Sequence, residues 1–357
     1  VHITGARPNF PKAAPVIEAL GAAGVDQLLV HTGQHYDDQM SEVFFQELGL
    51  PRPDVNLGVG SGSHAAQTAA IMIGLETLWV SERPALVVVY GDVNSTVAAA
   101  LVAAKLGIPL AHVEAGLRSF DMTMPEEVNR RVTDQLSELL FVTSPEAIGH
   151  LAREGVPADR VHLVGNPMID TLLRHLDALD TERSRKLHDV PESYVVATLH
   201  RPSNVDDPAS ARRLVEVLAD VAARATAVLP LHPRGRRSLE AAGLGEVADL
   251  IVVDPLPYTE FMGLVRGARA VLTDSGGVQE ETTILGVPCL TMRPNTERPV
   301  TISHGTNRLV GPDDVAAALD EVLEGRDSVA RTDSRPPLWD GQAGRRIAGV
   351  IADWLRR

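Results

Sequence analysis

Short runs of aliphatic and β-branched residues alternate along the whole chain with segments of helical length. In the first half the runs are Val1–Thr4, Gln27–Thr32, Ala85–Tyr90, Pro109–Val113 and Leu140–Thr143, each followed by a helical stretch. Ser144–Glu154 opens one such helix, with Pro145 in its first turn. The second half repeats the scheme at Tyr194–Thr198, Ala227–Leu231, Leu250–Val253, Ala270–Thr273 and Cys289–Met292. This alternation predicts an α/β protein of two Rossmann-like domains, each a parallel sheet wrapped by helices. The expected boundary is Val164-Gly-Asn-Pro167, where a strand ends in turn-forming residues before a helix at Met168-Ile-Asp170. Residues 1–166 then form the first domain and 167–342 the second. A last helix, 343–357, carries Ile347, Val350, Ile351 and Leu355 at helical spacing and is expected to return to the first domain. Ligands of open α/β sheets bind beyond the carboxyl ends of the strands, so two facing domains would enclose an active-site cleft.

Composition narrows the class. The 357 residues suit about two domains by the length prior, and 44% hydrophobic content without a membrane-length apolar stretch predicts a soluble globular protein. The chain enters directly on the apolar Val1-His-Ile-Thr4, with no basic segment and signal-like core ahead of it, so no secretion signal is expected. One cysteine, Cys289, excludes an intramolecular disulfide and fits a reducing cytoplasm. Its setting, Val287-Pro-Cys-Leu-Thr-Met292, reads as a buried strand and predicts a structural thiol. A formal net charge of −14 argues against nucleic-acid and polybasic membrane partners.

Polar residues gather at the predicted strand ends. Thr273-Asp-Ser-Gly-Gly-Val-Gln-Glu-Glu281 turns a strand into a helix. There Ser275, Gly276 and Gly277 would offer backbone N–H groups and a hydroxyl to an anion at the helix N-terminus. Glu280 and Glu281 lie about 100° apart on that helix, so one of them faces a ligand, in a place that suits ribose hydroxyls. Read alone, the segment is also compatible with acidic residues that merely complement a helix dipole.

Gly5-Ala-Arg-Pro-Asn-Phe-Pro-Lys12 follows the first strand without the Gly-x-Gly-x-x-Gly of a nicotinamide-binding domain, and instead projects Arg7 and Lys12 toward a phosphate or charged intermediate. Gly91-Asp-Val-Asn-Ser-Thr96 and His112-Val-Glu-Ala-Gly-Leu-Arg118 place Asp92 and Glu114 at the ends of adjacent strands. Met124-Pro-Glu-Glu-Val-Asn-Arg-Arg131 begins a helix with Glu126 in its first turn and Arg130 one turn later, a spacing that by itself also describes an exposed ion pair. Three carboxylates in one cleft raise one another's proton affinity and create acid/base pairs. A divalent metal on Asp92, Glu114 and His112, an oxygen-rich set, is the rival. In the second half, His200 and His232 stand at successive strand ends, where imidazole can bind a phosphate or move a proton. Arg298 follows the Cys289 strand and offers charge to a diphosphate or sugar, while Arg293 reads as structural.

Taken together and in this order, these motifs resemble the non-hydrolysing UDP-N-acetylglucosamine 2-epimerases over nearly the whole chain. The resemblance implies a glycosyltransferase-B-like pair of domains, no cofactor, a UDP-sugar substrate and a homodimer acting in cell-surface polysaccharide synthesis. By position it implies catalytic roles for Asp92, Glu114 and Glu126, with His200 as a further catalytic or diphosphate-binding group. It places the nucleotide against Arg7, Lys12, Phe261, Ser275, Gly276, Gly277, Glu281 and Arg298. The implied reaction removes UDP from C1 and the proton from C2, giving 2-acetamidoglucal, then re-adds UDP with a proton on the opposite face. The loop Ser119–Met124 is shorter than in well-known members, and His200-Arg-Pro-Ser203 departs from their His-Arg-Arg-Glu. Both features also resemble epimerases of UDP-2,3-diacetamido-2,3-dideoxyglucuronic acid. A UDP-sugar glycosyltransferase shares the fold and the nucleotide site. Some bacterial members need a second UDP-N-acetylglucosamine as activator, held by a glutamine and an arginine. Gln34 matches the first, but Gln67-Thr-Ala-Ala-Ile71 aligns with the second and carries no cation.

Overall fold

The computed structural model describes residues 1–34, 45, 47–201, 207–231, 233–326 and 335–357. Two compact units result: Val1–Arg174 with Pro337–Arg357, and His175–Pro336. Among the described residues, the first unit holds seven parallel strands. They are β1 (His2–Thr4), β2 (Leu29–His31), β3 (Val55–Asn56), β4 (Val87–Tyr90), β5 (Leu110–Ala115), β6 (Leu139–Val142) and β7 (Val161–Leu163), in the order β3-β2-β1-β4-β5-β6-β7. The second unit holds β8 (Val195–Thr198), β9 (Ala227–Pro230), β10 (Leu250–Val253), β11 (Ala270–Thr273), β12 (Cys289–Thr291) and β13 (Asn307–Leu309), in the order β10-β9-β8-β11-β12-β13.

Helices on both faces explain why the central strands read as unbroken apolar runs. Every residue of β4, β5 and β11 is buried. One core of the first unit joins Ile3, Val30, Val87 and Val89 to Ile71, Leu75 and Trp79 of the helix His64–Ser81. In the second unit, Val195, Leu229 and Leu272 pack with Leu214 and Leu218 of the helix Pro208–Ala222. Helix starts follow local chemistry: Pro208 occupies the first turn while the Asp207 carboxylate accepts from Ala209 N and Ser210 N.

The last helix, Ala343–Leu355, belongs to the first unit. Its first amides, Ala343 N and Gly344 N, donate to the Asp170 carboxylate at 3.1 and 2.7 Å, a cap supplied from elsewhere in the chain. A Cβ on Gly344 would lie 2.6 Å from Pro15 O, so glycine permits close approach to the helix Phe10–Ala22. Asp170 lies on the helix Pro167–His175, whose Thr171 hydroxyl donates to Pro11 O at 2.6 Å, and the division between the units falls just before the last residue of that helix. Ile347 and Ile351 are buried as their spacing predicts; Leu355 is exposed, because the helix ends beside it.

Each sheet changes direction once. In the first unit the order reverses between β1 and β4, in the second between β8 and β11. The turns after these four strands are where an open parallel sheet leaves room for a ligand.

Candidate active site

The turn after β4 is built around Gly91. Its φ of 63° lies in the left-handed region, and its amide donates to Val113 O on β5 at 3.0 Å. Across the switch point, Asn9 Nδ2 donates to Tyr90 O at 2.8 Å, and Asn9 Oδ1 accepts from Gly5 N and Ala6 N. That clamps the turn carrying Arg7 and Lys12 beside the turn carrying Asp92. Lys12 is buried and ion-paired with Glu114, and this pair occupies the space a side chain at position 91 would need. A Cβ there would lie 3.1 Å from Lys12 Nζ and 3.2 Å from Glu114 Oε2. Lys12, expected to reach for substrate phosphate, is thus first a counter-charge for Glu114. Arg7 is half-buried in the short 3₁₀ turn Arg7–Asn9.

Glu114 escapes the alternation expected of a strand. The register of β5 against β6 shifts between Val113 and Ala115, and Glu114 sits at this bulge with φ 73°. A non-glycine residue in that region is strained, a feature that gathers at functional sites. His112 is fully buried and bound to Asp134 Oδ1 and Gly91 O. Among the described residues, no three His, Cys, Asp or Glu side chains group to hold a metal ion.

Asp92 is partly open, and its Oδ2 accepts from Arg130 Nη1 at 2.5 Å. Arg130 Nη2 donates to Glu127 Oε2 at 2.7 Å, and Asn129 Nδ2 donates to Asp92 O at 2.8 Å. The ion pair that helical spacing offers between Glu126 and Arg130 is therefore replaced by bonds from Arg130 to Asp92 and Glu127. Glu126 is half-buried in the first turn of the helix Pro125–Leu136. Glu127 is the residue the sequence reading missed. It accepts from Ser119 N, Ser119 Oγ and Phe120 N, so it fixes the loop ahead of the helix. Burial alone would raise its proton affinity; the bonds from Arg130 and Ser119 outweigh burial and lower its pKa. A signal existed. This helix buries Glu127, Asn129, Arg130, Thr133 and Asp134 while exposing Val128 and Leu136, the reverse of an ordinary amphipathic helix.

In the second unit, the turn after β8 meets the turn after β11 through Asp274. This buried carboxylate accepts from His200 N at 3.0 Å and Arg201 N at 2.9 Å, and lies 3.0 Å from His200 Nδ1. The His200 side chain remains 49% exposed, held at its base and open at its outer edge. Ser275 caps the helix Gly276–Leu285 without a side-chain bond to it, and Ser275, Gly276 and Gly277 are half-buried. A Cβ on Gly276 would meet the Arg298 guanidinium and lie 2.7 Å from Glu297 Oε1, so glycine admits these groups to the helix N-terminus.

Arg298 is buried, with Nε 2.9 Å from Glu280 Oε1 and a second pair to Glu297. Its charge is balanced within the protein before any diphosphate arrives. Arg293 pairs with Glu297 at 2.7 Å, in keeping with a structural role. Glu280 and Glu281 are both buried, the former toward Arg298 and the latter accepting from Tyr258 Oη at 2.9 Å. Burial pushes Glu281 up to about 8, helped by Glu280 and opposed by the Tyr258 hydroxyl. Phe261 is half-buried on the helix Tyr258–Gly267. His232 lies outside the described residues. Cys289 is buried on β12 and pushed up to about 11 by burial, as befits an inert thiol.

Over residues 18–352 the chain matches the protein family described as UDP-N-acetylglucosamine 2-epimerase. It is 39% identical over 361 residues to the UDP-N-acetylglucosamine 2-epimerase of Methanocaldococcus jannaschii, covering 98% of this chain and 97% of that one. The UDP-2,3-diacetamido-2,3-dideoxy-D-glucuronate 2-epimerase of Pseudomonas aeruginosa is 42% identical over 357 residues, covering 98% of this chain and 98% of that one. The fold is similar to the crystal structure of the Methanocaldococcus jannaschii enzyme in complex with UDP-GlcNAc and UDP, with a TM-score of 0.91 covering 99% of both chains.

Proposed function

Because the chain belongs to the UDP-N-acetylglucosamine 2-epimerase family, we propose that it reversibly inverts C2 of UDP-N-acetylglucosamine to give UDP-N-acetylmannosamine. The observation that carries this reading is the pair of carboxylates, Asp92 and Glu114, on turns joined at Gly91, each held by a cation, Arg130 and Lys12.

The C2 hydrogen is not adjacent to a carbonyl, so removing it alone leaves an unstabilised carbanion. Breaking the C1–O bond to UDP in the same passage gives 2-acetamidoglucal and UDP, and the electron pair from C2–H forms the ring double bond. Return of UDP to C1 with a proton on the other face of C2 completes the inversion without net oxidation. The first unit supplies the proton-transfer groups, Asp92, Glu114 and Glu126. The second supplies the anion-binding groups: the amides at Ser275–Gly277, the partly exposed His200, and Arg298 beside Gly276. In this reading Glu281 serves the ribose and Phe261 lies on the nucleotide's side of the site. No cofactor enters this scheme.

A second reading keeps the chemistry and changes the sugar. The 42% identity to the Pseudomonas aeruginosa enzyme favours UDP-2,3-diacetamido-2,3-dideoxyglucuronic acid as an alternative substrate. NMR of the purified protein with each UDP-sugar decides: inversion of UDP-N-acetylglucosamine with the higher kcat/KM supports the first reading, and turnover of the diacetamido sugar alone supports the second. The protein is further proposed to act in the cytoplasm as a homodimer making precursors of cell-surface polysaccharide. Ile73 and Val80, 67% and 71% exposed on the helix His64–Ser81, suit burial by a partner. Light scattering at working concentration tests the dimer.

A further inference from the structure

Between the turn that carries Asp92 and the turn that carries Glu114 lies a ring that solvent does not reach. His112 on β5 is 0% exposed. Its Nε2 is 2.8 Å from the Gly91 carbonyl oxygen, and its Nδ1 is 2.7 Å from Asp134 Oδ1. A carbonyl and a carboxylate only accept, so each ring nitrogen donates and the ring carries two protons. Asp134 is itself fully engaged. Its Oδ2 accepts from Gly116 N at 3.1 Å and pairs with Arg118 Nη1 at 2.7 Å. Arg118 in turn forks onto Glu154, with Nε and Nη2 at 2.9 and 2.6 Å from the two carboxylate oxygens.

This chain ties together two backbone groups that matter. Gly91 O immediately precedes Asp92, and Gly116 N lies two residues beyond Glu114. Both turns pass through positive φ, 63° at Gly91, 73° at Glu114 and 76° at Gly116, and at Glu114, which is not a glycine, that conformation needs holding. Backbone in this region persists where its surroundings over-determine it. We propose that His112, as a doubly protonated ring paired with Asp134, is a positioning residue that locks the Gly91–Asp92 turn against the Glu114–Gly116 turn. It sets the separation of the two reacting carboxylates without touching substrate. The proposal rests on the reading of Asp92 and Glu114 as acid/base groups.

The assignment has a geometric consequence for substitution. In His112→Gln the side chain keeps a donor for Gly91 O, but its oxygen then opposes the Asp134 carboxylate. Adding Asp134→Asn supplies a donor for that oxygen and restores a bonded pair, at the expense of the charge shared with Arg118.

Turnover and UDP affinity are measured by coupled NMR assay and calorimetry for the wild type, His112→Gln and His112→Gln/Asp134→Asn. His112→Gln is expected to lower kcat on the order of 10-fold or more, the scale for groups that support reacting residues. The Kd for UDP should hold within about 3-fold, since the ring nitrogens of His112 bond to Asp134 and Gly91 and not to an anion-binding group, and the double variant should regain part of kcat. An unchanged kcat in His112→Gln, or equal losses in kcat and UDP affinity, would overturn the proposal. If the variants do not fold, nitrogen-edited NMR of histidine-labelled wild type at neutral pH still decides, because two protonated ring nitrogens at His112 are required and a neutral tautomer refutes it. Absence of epimerisation in the wild type would remove the functional reading and leave this ring spectrum to stand or fall separately.

Discussion

Arg130 grips Asp92 with one amino group and Glu127 with the other, at 2.5 and 2.7 Å. The guanidinium fork thereby links a partly open carboxylate to the buried one that orders the loop Ser119–Phe120. Asp92 is positioned by a cation that is itself positioned. Lys12 does the same for Glu114 from another element.

Asp92→Asn, Glu114→Gln and Glu126→Gln should each lower kcat by roughly 10²-fold or more, the usual scale for general acid–base groups, while UDP binding persists. Steady-state kinetics with calorimetric UDP titration checks this. Near-normal turnover in Glu126→Gln would remove it from the reacting set.

Much of this was legible from the chain. The central strands could be read because burial on both faces makes them continuous apolar runs, as at Val87–Tyr90. Two short strands escaped notice. Val55–Asn56 and Asn307–Leu309 have too little apolar length to stand out. At the site, sequence located Asp92, Glu114 and His200 at strand ends but not their partners. The bulge that turns Glu114 depends on the register between β5 and β6, a non-local property. Glu127 was hidden beside Glu126, because only packing reveals that the polar face of their helix points inward. Asp274, the carboxylate that binds the His200 backbone, was read as part of a turn rather than as an anchor.

Gly91→Ala and Gly24→Ala form a matched test of the Lys12–Glu114 contact. Both positions have positive φ, 63° and 74°, but a Cβ at Gly24 meets nothing within 4 Å. Gly24→Ala should show only the backbone penalty, about 1–2 kcal/mol, with turnover intact. Gly91→Ala should lose more stability and most of its turnover. Denaturant unfolding and kinetics measure both, and equal behaviour of the two variants would count against the contact.

Stability should depend on pH through Glu281. Burial raises its folded-state pKa from 4.5 to about 8, so the native protein keeps a proton that the unfolded chain gives up between those values. Stability therefore falls as pH rises through that window, by an order of a few kcal/mol at about 1.4 kcal/mol per pKa unit. Glu281→Gln should flatten this part of the profile. Urea unfolding at pH 5 and pH 8.5 checks it, and an unchanged difference between the two pH values in the variant would refute the assignment.

Kinetics in the reverse direction should be hyperbolic. The Gln34 side-chain oxygen accepts from Ser95 N and Oγ at 3.1 and 2.8 Å, and Gln67 donates to Gln34 O and Gly60 O. No Lys or Arg occurs between Arg52 and Arg83 to grip a second diphosphate there. Initial rates with UDP-N-acetylmannosamine alone should show no lag. A reaction silent until UDP-N-acetylglucosamine is added would contradict this.

Isotope exchange at C2 tests the central claim most directly. When UDP-N-acetylglucosamine is incubated with the protein in D2O, NMR of the recovered sugars should show deuterium at C2 of both epimers, because the proton that leaves is not the one that returns. Epimerised product with protium retained at C2, or transfer of the sugar to an acceptor with C2 untouched, would contradict it.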